Sequence, residues 1–261
     1  MEVAQGWDSV ATIAEGWVWR RPRRVEVGEQ LRRESLFLPW LVSRVSVAVP
    51  VPEVVGEEPI VVRHRMIVGE AVIEPRVAHG VALGAFLREL HDCSVGEAER
   101  HGLSGAGRTA VDRAAAVGRF REEVLPLLPA ESRSAAEELL DAIPGLPADT
   151  VVHGDLGPDH VLVEGDRLTG VIDFGDAHVG DSAIDLAWAL YGTPAPFRHA
   201  LAESYGVTLE ERERALLWHR LGPWFEVVHG RMTADDNLIR GGLAGVLARL
   251  TTTRSARRST E

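Results

Sequence analysis

The stretch Val151 to Asp185, VVHGDLGPDHVLVEGDRLTGVIDFGDAHVGDSAID, constrains the fold more than any other part of the chain. Two short runs, Val161 to Val163 and Leu168 to Ile172, flank the polar turn Glu164-Gly165-Asp166-Arg167, which predicts a β-hairpin. A hairpin symmetric about Asp166 and Arg167 sets Val163 opposite Gly170 and His160 opposite Asp173. Cross-strand neighbours share a face, so an imidazole and a carboxylate meet at the open end, placed to bridge one small divalent cation. Asp155 precedes His160 on a Gly/Pro-containing loop tied to the same strand.

His153-Gly154-Asp155 alone reads as a turn, and Asp173-Phe174-Gly175 alone says nothing. Both in order, joined by a hairpin of this length, come close to what phosphoryl transfer needs. One carboxylate orients a hydroxyl and accepts its proton, while metal ligands hold nucleotide phosphates. The spacing follows the protein kinase pattern H-R-D-x-x-x-x-N with D-F-G, except that His160 stands where those enzymes have Asn. This H-x-D-x-x-x-x-H variant, with the continuation Gly180-Asp181-Ser182-Ala183-Ile184-Asp185-Leu186, resembles the aminoglycoside phosphotransferase family of antibiotic kinases. The likeness is to its aminoglycoside 2''-phosphotransferases and macrolide phosphotransferases.

The resemblance implies an α+β, bilobal, protein-kinase-like fold. A small β-rich nucleotide-binding lobe is expected over residues 1–69, and a larger, mainly helical catalytic and substrate-binding lobe over 70–261. It further implies transfer of the γ-phosphoryl group of ATP or GTP, with Mg2+, to a hydroxyl of an antibiotic-like molecule such as an aminoglycoside or macrolide. Asp155 is then the base, and His160 and Asp173 are the metal ligands. Asp181 and Asp185 read as scaffold: one near a helix N-cap, the other within reach of the catalytic loop.

At 261 residues the chain can bury a sizeable core, and its 45% hydrophobic and 26% charged content is that of a soluble globular protein. No window approaches a membrane span, and the start MEVAQGWDS has no secretory pattern, so the expected location is the cytoplasm with no membrane partner. A single cysteine, Cys93, excludes an intramolecular disulfide and a cysteine metal site. The net charge of −11 argues against nucleic acid and favours a cationic, hydroxylated small substrate. The chain has no lysine, so arginine must supply every strong base.

Taken in order, Gln5 to Ser9 carries one glycine and a small polar residue before a strand from Val10 to Ile13, and a second strand begins at Trp17. By the resemblance, Ser9 belongs to a loop over phosphates, and Arg20 takes the place of the phosphate-binding base. Arg21 is its alternate, because successive strand residues face opposite ways. Glu34, on a helix spanning Glu29 to Val42, matches the glutamate that pairs with that base. Pro59 to Val68 is a β-like run leading to a hinge, where backbone near Met66 to Val68 is expected to meet the purine, and Gly69 allows the crossing.

From Glu70 the pattern turns helical, with helices over His79 to His91, Thr109 to Leu128, Ser132 to Ile143 and Leu209 to Met232. Gly102 to Gly107 reads as a flexible loop, and Thr251 to Glu261 as a frayed end. Substrate is expected near Asp176, Trp224, Glu226, Asp235 and Asp236. Two other classes compete. One is a metal-dependent hydrolase using His153, Asp155, Asp159 and His160. The other is a nucleotide-binding relic with weak or lost activity, suggested by the absent lysine, the sparse glycine loop and a start that lacks the family's first strand.

Overall fold

The computed structural model describes residues 2–5 and 9–258, and it builds two layers of different character on one chain. The first is an antiparallel sheet of β1 (Glu2–Gln5), β2 (Ser9–Ala14), β3 (Trp17–Pro22), β4 (Glu53–Glu57) and β5 (Ile60–Arg65) in the order β1-β2-β3-β5-β4. Contrary to the expectation of a missing first strand, residues 2–5 pair with Val10 to Ile13. Gly6, Trp7 and Asp8 of the expected phosphate loop lie outside the described residues.

Helix α1 (Val25–Leu41) starts earlier than its apolar spacing indicated and has two halves. Leu31 packs with Ile60 and Val62 of β5, the small core of the sheet layer. Phe37, Leu38, Trp40 and Leu41 belong instead to the large core. The segment after α1 joins that core too, through Val49 and a bridge from Ala48 to Gly170. Burying both halves of one helix against different layers makes α1 the rigid link between them.

The rest is mainly helical. In chain order come β6 (Glu70–Ala71), α2 (Val77–His91), α3 (Val95–Arg100), α4 (Ala106–Glu123) and α5 (Ala130–Ala142). Strands β7 (Thr150–Val152), β8 (Val161–Glu164), β9 (Arg167–Val171) and β10 (His178–Gly180) follow, then α6 (Ala183–Tyr191), α7 (Ala195–Tyr205), α8 (Leu209–Thr233) and α9 (Asp236–Arg258). Gly102 to Gly107 is only partly a loop, because Ser104 bridges to His178 and α4 starts at Ala106. Helix α9 continues to Arg258, so only the last three residues of the expected frayed end lie outside the described residues. Glu70 and Ala71 pair with β8 rather than opening a helix. The hairpin tip is anchored on α2, where buried His79 places Nε2 2.9 Å from the Gly165 carbonyl oxygen. No described helix is long and apolar enough to cross a membrane.

Candidate active site

The hairpin forms, but in a different register from the symmetric one. Gly165 has φ of +61°, and Glu164 pairs with Arg167, so the loop is two residues with glycine first. Val163 then pairs with Leu168 and Leu162 with Gly170, leaving Thr169 as a bulge. His160 is therefore level with Ile172, whose N–H donates to the His160 carbonyl at 2.9 Å. Asp173 leaves the strand in the left-handed region, φ +64°, held there by Phe174, which is buried against the His153 ring at 4.7 Å. That turn brings the two side chains together by another route: His160 Nε2 lies 3.8 Å from Asp173 Oδ2.

Hydrogen bonding sets the histidine tautomers. His160 Nδ1 is 2.6 Å from the Asp155 carbonyl oxygen, which can only accept, so Nδ1 carries the proton and the Nε2 lone pair faces Asp173. The donor set suits Mg2+, which takes one or two protein ligands and fills its sphere with phosphate oxygens and water. Among the described residues no group of three or more His, Cys, Asp or Glu is arranged to hold a metal, so the hydrolase cluster does not assemble. His153 is fully buried, its Nε2–H donates to the Ile172 carbonyl at 2.9 Å, and Nδ1 accepts from the Asp155 N–H at 3.3 Å. Both nitrogens are engaged, and burial pushes its pKa down.

Asp155 extends from a loop gripped from below. The buried Asp185 carboxylate accepts the N–H of His153 at 2.8 Å and of Gly154 at 2.9 Å. His91 Nε2 faces the same carboxylate at 3.1 Å, and its Nδ1 lies 2.8 Å from the Tyr205 hydroxyl, which donates to Glu211 at 3.2 Å. Burial alone would raise the Asp185 pKa, but His91, His153 and the loop amide outweigh it and hold it below the usual range. Gly154, φ +88°, is needed because a Cβ there would stand 2.4 Å from the Asp176 carbonyl oxygen. Asp155 has its pKa raised by its protein surroundings, with His160 opposing and Asp173 and Asp185 adding. Asp181, also buried, accepts from the Ala183 N–H and from Arg214 and Trp218 of α8, so it is a scaffold node.

From the other layer, Arg20 turns toward the cleft and Arg21 toward solvent. Arg20 donates to Glu34 Oε2 at 2.5 Å and to Ser9 Oγ at 3.3 Å, and its second nitrogen lies 3.7 Å from Asp173 Oδ1. Glu34 is 6% exposed, and its Oε1 has no hydrogen-bond partner. Burial pushes its pKa up to about 7 against the pull of Arg20, with Asp173 and Asp176 adding. The Met66 N–H donates to the Gly16 carbonyl at 2.9 Å, so in this arrangement it is not offered to a purine. The Met66 and Val68 side chains are exposed on the linker.

Below Asp155 opens a cavity of about 440 Å3 between α4 and α8. Asp176 lines it, but the other expected substrate residues do not. Trp224 is wholly buried against Phe120, and the neighbouring Phe225 faces the cavity instead. Phe225 is one residue, about 100° of helix, from Trp224, so the core side of α8 at Trp224 and its cavity side at Trp218, Leu221 and Phe225 are adjacent faces. Glu226 points to solvent; Asp235 accepts from the Asn237 and Leu238 amides as the cap of α9, with Asp236 in the first turn. Arg113 of α4 was not anticipated. It lies over the Trp218 ring and donates to the Leu146 and Pro147 carbonyls at 2.5 and 3.0 Å. Its place on the α4 face, together with Asp112 and Val117, was the available signal.

Residues 2–223 match the phosphotransferase enzyme family, APH. The chain belongs to that family. Viomycin phosphotransferase of Streptomyces vinaceus is 39% identical to this phosphotransferase-family chain over 102 residues, 37% of this chain and 31% of that protein. A homoserine kinase of Granulibacter bethesdensis is 35% identical over 154 residues, 54% of this chain and 48% of that protein. The chain thus spans about half or less of these two relatives. Among solved structures, the GDP and kanamycin complex of APH(2'')-IIIa superposes with a TM-score of 0.83 at 23% identity, over 95% of this chain and 92% of that one. A macrolide 2'-phosphotransferase of Brachybacterium faecium gives 0.74 at 20% identity, over 94% and 91%. At these identities the likeness is of fold, and the α+β, bilobal kinase-like architecture of this family member agrees with it.

Proposed function

We propose that this phosphotransferase-family protein is a small-molecule kinase that moves the γ-phosphoryl group of ATP or GTP to a hydroxyl of an antibiotic-like acceptor, an aminoglycoside or a macrolide. The observation that carries the reading is the convergence of Asp155, His160 and Asp173 at one end of the hairpin, directly above a cavity of about 440 Å3. Residues 1–69 would serve the nucleotide and residues 70–261 the acceptor.

His160 Nε2 and the Asp173 carboxylate would hold Mg2+. When bound, that ion neutralises charge on the phosphate oxygens. Arg20, fixed by Glu34 and Ser9, directs a guanidinium toward the same point and would hold the phosphate tail. Asp155 orients the acceptor hydroxyl and takes its proton as the oxygen–phosphorus bond forms. The bond from the γ-phosphorus to the bridging oxygen breaks, and the nucleoside diphosphate leaves. Asp176 and the acidic balance of the chain would draw an acceptor carrying an amine.

A screen of ATP and GTP consumption against aminoglycosides, macrolides and other hydroxylated molecules tests the reading. Asp155→Asn keeps the shape but loses the base, so turnover should fall by about 10²–10⁴-fold while Mg-nucleotide binding is retained. Near-full phosphoryl transfer by that variant would falsify the mechanism.

A further inference from the structure

Behind the catalytic loop three hydrogen bonds run in series across the helices. They join Asp185 Oδ2 to His91 Nε2 at 3.1 Å, His91 Nδ1 to the Tyr205 hydroxyl at 2.8 Å, and that hydroxyl to Glu211 Oε1 at 3.2 Å. Each needs one proton, and an ionised acid at either end can only accept. Burial alone would raise the pKa of both acids, but Thr208, Tyr205 and Ser182 hold Glu211 below the usual range, as His91, His153 and the loop amide do for Asp185. Thr208 gives Glu211 Oε2 its N–H at 2.9 Å and its hydroxyl at 2.8 Å. The Ser182 proton lies on its own line to Glu211 Oε1, at 3.3 Å, and cannot serve the series. Tyr205 supplies one proton, kept on the oxygen because burial and the Glu211 charge push its pKa up. A neutral imidazole supplies one more, which would leave two lone pairs face to face in one of the three hydrogen bonds. An imidazolium supplies two and completes them all.

The surroundings suit that charge. The His91 side chain is 5% exposed and stands edge-on to the Tyr205 ring at 5.4 Å. The titratable groups facing it are Asp185 from α6 and Tyr205 from α7, with Glu211 of α8 behind the tyrosine and His153 of the catalytic loop beyond Asp185. A buried cation persists where opposite charges and hydrogen bonds enclose it. We infer that His91 is an imidazolium held between Asp185 and Glu211, and that Tyr205 and Glu211 are positioning residues that act through it on the catalytic loop. Asp185 grips the His153 and Gly154 amides next to Asp155. Loss of the His91 proton turns the Tyr205 proton to Nδ1, strips Glu211 of that donor and leaves Asp185 beside an uncharged ring. The loop that aims Asp155 then loosens. On the kinase reading above, on which this consequence rests, kcat falls and the nucleotide KM does not change.

Nitrogen-15 NMR of the nucleotide-free protein at pH 7.5 counts the protons. The two tyrosines each stand against one histidine, Tyr205 against His91 and Tyr191 against His219, so ring-to-ring cross-peaks assign both signals. Both His91 nitrogens should carry protons, with His219, pushed down to about 4 by burial, as the neutral control. Glu211→Gln keeps the capping box of α8 and removes one flanking charge. The variant-to-parent ratio of kcat for ATP consumption, with Mg2+ and water as the acceptor, should fall about ten-fold between pH 6 and pH 8.5 at unchanged ATP KM. The titration of Asp155 cancels in that ratio, and a purely structural loss would not be rescued at low pH. A singly protonated His91 at pH 7.5, or a ratio level with pH, overturns the inference. The proton count is made on the parent protein, so it decides the matter even where the variant does not fold. A protein that binds Mg-nucleotide but consumes none fails the kinase reading instead, and the NMR outcome for His91 still stands on its own.

Discussion

Replacing Arg20 by Ala tests the electrostatic logic of the nucleotide side. The change removes the guanidinium 2.5 Å from Glu34 and leaves a carboxyl that is 6% exposed, with one oxygen lacking a partner. The folded protein can avoid burying a bare charge by protonating Glu34. Glu34 is already about half protonated at pH 7 in the parent, so the charge-burial part of the penalty is capped by the further work of protonation, about 1.4 kcal/mol for each pH unit above about 7. That ceiling is about 0.4 kcal/mol at pH 7 and about 2 kcal/mol at pH 8.5. In the parent protein Glu34 titrates at about 7, above its unfolded value. The folded state binds the extra proton, so this contribution is present below pH 4.5 and is lost as pH rises through about 7. Without Arg20 the pKa climbs higher, and the loss continues beyond pH 7. Urea unfolding of the nucleotide-free, metal-free protein should show the Arg20→Ala penalty growing by about 2 kcal/mol between pH 7 and pH 8.5. Adding Glu34→Gln should flatten that dependence. A penalty equal at the two pH values refutes the reasoning.

Other outcomes follow from the same geometry. His160→Ala and Asp173→Ala should each weaken Mg-dependent nucleotide binding by about ten-fold or more, measured by calorimetry with and without Mg2+, because each removes a ligand rather than the base. Gly154→Ala places a Cβ 2.4 Å from the Asp176 carbonyl at positive φ, and the displaced loop should lower kcat about 100-fold, read in steady-state kinetics. Asp185→Ala orphans the His153 and Gly154 amides and the His91 ring, and calorimetric melting should show a cost of about 3 kcal/mol or more. Burial pushes the Cys93 thiol up to about 11, so alkylation by iodoacetamide at pH 8 should be slow in the folded protein and fast after unfolding.

Side-chain order along one loop and one hairpin already marks the candidate catalytic residues of this protein. Asp155, His160 and Asp173 lie close in sequence on elements with few ways to fold, so local spacing suffices to bring them to one end of a hairpin. The way they meet was not legible: the turn lies at Gly165-Asp166, one residue earlier than symmetry gives, the bulge at Thr169 recovers only part of that shift, and a left-handed Asp173 restores the contact. The Asp173 turn lies beside the packed rings of Phe174 and His153, a contact that no local pattern records. The choice of Arg20 over Arg21 needed β3 placed over α1, because strand alternation offers two faces and only tertiary burial selects one. The acceptor side was least readable. Phe225 and Arg113 sit on helices with apolar residues on several sides, and a cavity about 100 residues apart in sequence arises only when α4 and α8 pack, so a one-residue rotation exchanges a wall residue for a core residue such as Trp224.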